Sequence, residues 1–229
     1  QREEFKRLGV IGDWDHPYTT MTYEAEAQIV EELGKFLMNG SLYRGAKPVL
    51  WSVVEKTALA EAEVEYHDHD SNTAFVRFPV IDSSTSDAAL GAAIVIWTTT
   101  PWTIPGNRGI AYSASNDYVR LKVRVVGKES LAQSGEEIVV AEKLVEQVCA
   151  ECGITTHEII GKFKGSELNG TKCNHPFNGK GYEFEVPLLA GDFVDMETGS
   201  GFVHIAPGHG FDDWVLGVKY GLPVPETVL

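Results

Sequence analysis

Trp97-Thr98-Thr99-Thr100-Pro101-Trp102-Thr103-Ile104-Pro105-Gly106-Asn107-Arg108 follows directly on an apolar run that begins at Ala92. Ala92 to Thr98 has the composition of a buried β-strand. Pro101 and Pro105 then stop the strand and fix the backbone. Four threonine hydroxyls and one asparagine amide therefore project from a stiff turn at the end of a strand. Small donors and acceptors in that setting suit a bound ligand. They suit a threonine-rich strand edge equally, because threonine favours strands in any case.

Working outward, Lys47 to Trp51 and Ala74 to Val80 read as strands, the second ending near Pro79. Tyr118 to Val126, Thr155 to Phe163, Glu183 to Leu189 and Gly201 to Ala206 read as further strands. Val140 to Cys152 reads as a helix, and Phe211 to Tyr220 as a shorter one with Asp212 and Asp213 in or near its first turn. Met21 to Asn39 is an amphipathic helix: Ala25, Ile29, Leu33, Phe36 and Leu37 share one face, and Gly40 suits its stop. Many short strands with few helices predict a mixed α/β domain around a curved or closed, β-barrel-like sheet with flanking helices. Residues 1–45 are expected to form a helical arm outside it, and 46–229 the domain itself. The ending Gly221-Leu222-Pro223-Val224-Pro225 reads as a connection, so the domain is expected to be truncated at that end.

The net charge of −14 argues against a free-standing nucleic-acid binder, which needs a basic excess. It leaves room for a pocket that receives one end of an RNA held elsewhere. The longest apolar run has only the length of a strand, so no membrane partner is expected, and the charged start points to the cytoplasm. Three cysteines in a chain of 229 residues are not a disulfide framework. Cys149 and Cys152 form a C-x-x-C pair, and Cys173 and His175 a C-x-H pair. Together they have the ligand chemistry for zinc. The alternative is a helix with two small thiols followed by an unrelated turn, and no metal is the expectation.

A second segment, Gly199-Ser200-Gly201-Phe202-Val203-His204-Ile205-Ala206-Pro207-Gly208-His209-Gly210-Phe211-Asp212-Asp213, also concentrates chemistry. His204 sits on a strand and faces away from Val203 and Ile205; a satisfied core histidine is common in that place. Asp213 lies at a helix start, where the macrodipole and free N–H groups favour the ionised carboxylate. Held so, it suits a substrate ammonium group. A plain helix cap is the other possibility, and Asp212 alone could supply it; for two adjacent aspartates a cap and a ligand contact together are the expectation. No nucleophile elbow, zincin helix or phosphate-binding P-loop is present.

The threonine-rich peptide Trp97 to Asn107 resembles that of the isoleucyl-tRNA synthetase editing domain, and Val203 to Asp213 resembles the second editing motif of that family. Arg7-Leu8-Gly9-Val10, Gly12-Asp13-Trp14, Lys47-Pro48-Val49 and Thr57 to Glu63 are similar to it as well. The related valyl and leucyl enzymes carry arginine where this chain has Thr100. The resemblance implies the fold of a class I aminoacyl-tRNA synthetase editing domain, inserted in a longer enzyme. That enzyme's activation signatures, H-I-G-H and K-M-S-K-S, are absent here. ATP and Mg would serve only the absent catalytic part, and editing itself would need no cofactor. The partners implied are the remainder of the synthetase and the 3′ end of tRNA(Ile) carrying valine.

Carried over residue by residue, Asp213 would hold the α-ammonium. Thr99 and Thr100, with Thr98, would line the ester and side-chain site. Thr103 and Asn107 would support that loop, His204 would form part of the wall that excludes the larger side chain, and Trp102 would pack beside the substrate. The attacking group would be water. The double-sieve logic, of which the isoleucine enzyme is itself the standing worked case, then has a second pocket admit valine and exclude isoleucine. Two positions depart from the pattern: Ser200 and Phe193 stand for a threonine and a histidine, and Trp51 to Thr57 lacks a zinc-binding cysteine pair. The competing functions are a module that only docks tRNA, and the editing domain of a related class I enzyme.

Overall fold

The computed structural model describes residues 1–225. The chain divides into two compact units, Gln1–Gly45 and Ala46–Leu229. The first contains α1 (Arg2–Arg7) and α2 (Tyr23–Met38). Thr22 caps α2 by accepting from the Ala25 N–H at 3.3 Å. None of its residues is buried, and the apolar face of Ile29, Leu33, Phe36 and Leu37 stays exposed.

The second unit opens with a small hairpin, β1 (Trp51–Ser52) and β2 (Thr57–Ala58). The main sheet then comprises β3 (Ala74–Asp82), β4 (Ala93–Thr98), β5 (Gly109–Tyr112), β6 (Asp117–Val126), β7 (Glu137–Ala141), β8 (Ile154–Lys164), β9 (Lys172–Asn174), β10 (Glu185–Ala190) and β11 (Phe202–Ile205). Six of these close a barrel in the order β11-β5-β10-β9-β3-β4 and back to β11. The closing pair is parallel, with Val203 opposite Trp97. β4 divides its other edge between two partners. Ala93 and Ile94 pair with Ile138 and Val139 of β7, while Trp97 pairs with β11. β4 is buried at every residue from Ala93 to Ile96, so both of its faces are covered, which explains its uninterrupted apolar run. From β7 the sheet continues through β6 to β8 as an antiparallel extension. Helix α3 (Val145–Glu151) buries Val145, Val148 and Cys149. Helix α4 (Phe211–Tyr220) follows β11.

Three elements differ from their sequence expectation. Lys47 to Leu50 is not strand, and only Trp51 and Ser52 pair, because the partner segment is equally short. β3 does not end near Pro79 but runs to Asp82: its pairing with β4 ends at Pro79 and it pairs with β9 from Val80, with a register shift between Val80 and Asp82. The helix expected from Val140 starts only at Val145. Glu137–Ala141 is strand, since a short apolar run in a buried strand has no periodicity that separates it from a buried helix. Strands β5 and β9 were not anticipated.

Candidate active site

The parallel pairing of β4 with β11 decides what meets at one end of the barrel. With Val203 opposite Trp97, Thr98 and His204 become neighbours. The chain leaves β4 through Thr99 and Thr100 into a 3₁₀ turn, Pro101–Gly106, and returns as β5. It leaves β11 through Pro207 to Gly210 into α4. Between these two exits lies a cleft of about 300 Å³. Thr98, Thr99, Thr100, Thr103, His204 and Asp213 all line it.

The threonine turn is held by its own hydroxyls. Thr98 Oγ1 accepts from the Thr100 N–H at 3.0 Å, and Thr103 Oγ1 donates to the Thr100 carbonyl at 2.8 Å. The hydroxyl of Thr103 is also 2.9 Å from His204 Nε2. On the other side of the ring, Asn107 Nδ2 lies 2.8 Å from His204 Nδ1 and 2.8 Å from the Gly109 carbonyl. An amide NH₂ between two acceptors donates to both, so the network assigns a bare Nδ1 and a protonated Nε2. Thr103 then accepts from His204 and passes its own proton to Thr100. Burial first, with smaller contributions from the nearby His209 and His175, pushes the pKa of His204 down to about 4, so the ring is neutral.

Asp213 differs from expectation in two respects. It does not cap α4, whose N-cap is Gly210 with no side-chain capping bond, and neither does Asp212. Its carboxylate instead reaches back to accept from the Ala206 N–H at 3.2 Å. Burial lifts its pKa to about 6, outweighing that hydrogen bond and the helix N-terminus that was expected to favour the ionised form. The carboxylate is therefore under-compensated, and a cation in the cleft would stabilise it.

Trp102 is not brought to the cleft. As the second residue of the turn it faces solvent, 66% exposed, while Thr103 and Ile104 face inward. Asn107 does not line the cleft either; it is fully buried and acts on it through His204. Of the two departures from the family pattern, Ser200 lines the cleft and Phe193 does not. The opposite wall runs from Asp195 and Thr198 to Phe202, with His209 nearby; Gly199 to Asp213 was singled out as a segment, but only Ser200 of this wall was tied to the pocket, and Asp195 and Thr198 were missed. Residues 191–200 have no periodicity, and the sign the sequence offered of a shaped loop was the pair of glycines at 199 and 201, which adopt positive φ in the structure. Gly201 is the tighter of the two: a Cβ there would lie 2.3 Å from Ala141 Cβ. The loop is tied down by Ala141 N–H to the Ser200 carbonyl at 2.9 Å, and by Tyr118 Oη–H to the Gly201 carbonyl at 2.8 Å.

The four zinc candidates do not assemble. Cys149 lies beside His157, with Sγ to Nδ1 at 3.5 Å, and Cys173 is buried on β9. Both nitrogens of His175 are engaged by backbone groups. Among the described residues no three His, Cys, Asp or Glu side chains are grouped as metal ligands, and no helix is long and apolar enough to cross a membrane.

Residues 1–205 match the family model of tRNA synthetases class I (I, L, M and V). The chain belongs to the class I tRNA synthetases. Its similar relatives are isoleucine–tRNA ligases. That of Gluconobacter oxydans is 54% identical over 100% of this chain and 24% of its own length; that of Pelagibacter ubique is 52% identical over 99% and 24%. This synthetase segment thus spans about a quarter of the relatives it matches. Similar solved structures include the editing domain of the cytosolic leucyl-tRNA synthetase of P. knowlesi, at 13% identity over 62% of this chain and 59% of that one, with a TM-score of 0.46. The corresponding P. falciparum domain gives 17% identity, 54% and 44% coverage, and a TM-score of 0.42.

Proposed function

We propose that this segment hydrolyses the ester bond of valyl-tRNA(Ile), clearing valine attached in place of isoleucine. One observation carries the proposal: an under-compensated carboxylate, Asp213, lines the same small cleft as three consecutive threonines and a neutral, immobilised histidine. An aminoacyl ester presents matching groups, namely an α-ammonium, a carbonyl and a small branched side chain. Asp213 would hold the ammonium. The hydroxyls of Thr98, Thr99 and Thr100 would orient the ester and an attacking water. Oriented donors near the carbonyl would stabilise the developing oxyanion. The edge of His204 would limit side-chain size. His204 is not the general base here, since both ring nitrogens are committed to Asn107 and Thr103.

The partners in this account are the 3′ end of tRNA(Ile) and the rest of a synthetase, with ATP and Mg²⁺ used only by the latter. The reaction is written with water and no resident metal. Loss of labelled valine from valyl-tRNA(Ile) tests it: the wild-type chain accelerates release, Asp213→Ala does not, and EDTA leaves the rate unchanged. Release no faster than the uncatalysed background would refute the proposal.

A further inference from the structure

His175, first considered as a metal ligand, is only 1% exposed and lies behind the threonine turn, outside the cleft. Its ring is stacked on Tyr182 at 4.6 Å and surrounded by Phe78, Phe177 and Phe184. The Phe177 N–H points to Nδ1 at 3.1 Å, so Nδ1 is the acceptor and Nε2 carries the proton. Nε2 in turn lies 2.9 Å from the Ile104 carbonyl. That carbonyl also accepts from the Asn107 N–H at 3.0 Å. Asn107 orients His204, His204 engages Thr103, and Thr103 bonds to Thr100. A continuous line of hydrogen bonds therefore runs from a buried imidazole to the lip of the cleft. Arg108 supports the same arrangement from the side. Its guanidinium sits 4.5 Å over the Phe184 ring, and it donates to the Pro105 carbonyl at 3.2 Å.

We propose that His175 is a positioning residue for ester hydrolysis: its bond to the Ile104 carbonyl fixes the turn that aims Thr100 and His204. This rests on the hydrolytic function proposed above. The aromatic surroundings explain why a histidine suits the position. The ring packs as an aromatic, its two nitrogens join a donor to an acceptor, and burial keeps it neutral, which that pairing requires.

Two substitutions separate packing from hydrogen bonding. His175→Phe keeps an aromatic ring and removes the donor; His175→Gln keeps a donor able to reach Ile104. On the 229-residue chain, His175→Phe should lower kcat for valyl-tRNA(Ile) about tenfold with KM within about twofold, and His175→Gln should recover most of the loss. Amide exchange at Thr103 and Asn107 should be about tenfold faster in His175→Phe and near wild type in His175→Gln. Wild-type exchange and kcat in His175→Phe, or equal impairment of both variants, overturns the proposal. If the wild type itself releases no valine, the proposed function fails and the exchange comparison alone decides this inference. If His175→Phe does not fold, the imidazole ¹⁵N spectrum of the wild type decides instead. A bare Nδ1 and a protected Nε2 proton are expected, and a protonated Nδ1 would remove the bond to Ile104.

Discussion

His204 Nε2 and Thr103 Oγ1 lie 2.9 Å apart, joining the end of β11 to the turn that follows β4. The contact lets a strand residue set the position of a loop hydroxyl, and through it the Thr100 carbonyl at 2.8 Å. Side chains placed on strands and locked by second partners hold their geometry better than free loop residues, which a size-selective pocket requires.

The tautomer of His204 depends on Asn107. Replacing the amide by a carboxylate in Asn107→Asp removes the donor to Nδ1 and supplies an acceptor. The proton should move to Nδ1 or be added there; in the neutral form Nε2 then becomes an acceptor, and Thr103 can bond to it only by giving up its bond to the Thr100 carbonyl. Imidazole ¹⁵N shifts read this directly: wild type at neutral pH shows a bare Nδ1, the variant a protonated one. An unchanged spectrum would mean that Asn107 does not set the tautomer.

Asp213 should trade stability for function. Its folded pKa, about 6, exceeds the ordinary 3.8, so the folded state holds the proton more tightly than the unfolded chain. The resulting stability is present below about pH 4 and is lost as pH rises through 6. Asp213→Asn keeps an acceptor for the Ala206 N–H without the charge. Denaturant unfolding should show it more stable than wild type by about 2–3 kcal/mol at pH 7.5, with the difference vanishing near pH 4. Equal stability at both pH values would contradict the burial argument.

The same titration governs the proposed reaction. Only the ionised carboxylate binds an ammonium group, so kcat/KM for valyl-tRNA(Ile), corrected for uncatalysed hydrolysis, should climb with pH through about 6 and fall again where the substrate's own α-ammonium deprotonates, at roughly pH 8 or below. In Asp213→Asn the rising limb should be missing along with most of the activity.

Gly201 is required by its backbone and by its neighbour. At φ +80° it disfavours any side chain, and a Cβ would stand 2.3 Å from Ala141 Cβ. Gly201→Ala should cost roughly 2–4 kcal/mol, combining left-handed strain with overpacking. Urea midpoints measure this, and a loss under about 0.5 kcal/mol would show that the loop relaxes freely.

Much of this molecule was legible in its sequence, for reasons that differ by element. β4 carries an apolar run and β11 one broken only by His204, and a proline follows each within three residues, so both strands and the loops beyond them could be read. The threonine cluster and Asp213 stood out because polar groups crowd the ends of such strands. The pairing that brings them together is long-range and leaves no local trace. β5 and β9 were missed because four and three residues are too few to show a period. The role of Asn107 was visible only as loop support, since its partner His204 lies 97 residues away. Trp102 was misplaced because aromatic character alone does not tell which side of a 3₁₀ turn a residue occupies. The direction of the Asp213 shift was misjudged because burial, which no sequence displays, outweighs the helix terminus.

The size of the cleft bears most directly on the central claim, and a comparison of two substrates tests it. Single-turnover release of valine and of isoleucine from tRNA(Ile) should be measured side by side for wild type, Thr100→Ala and His204→Ala. The account predicts that wild type releases valine much faster than isoleucine, and that either substitution raises the isoleucine-to-valine rate ratio, because excluding one methylene rests on a steric contact worth roughly 1–3 kcal/mol. Equal release of both by the wild type, or a ratio that neither substitution moves, would contradict it.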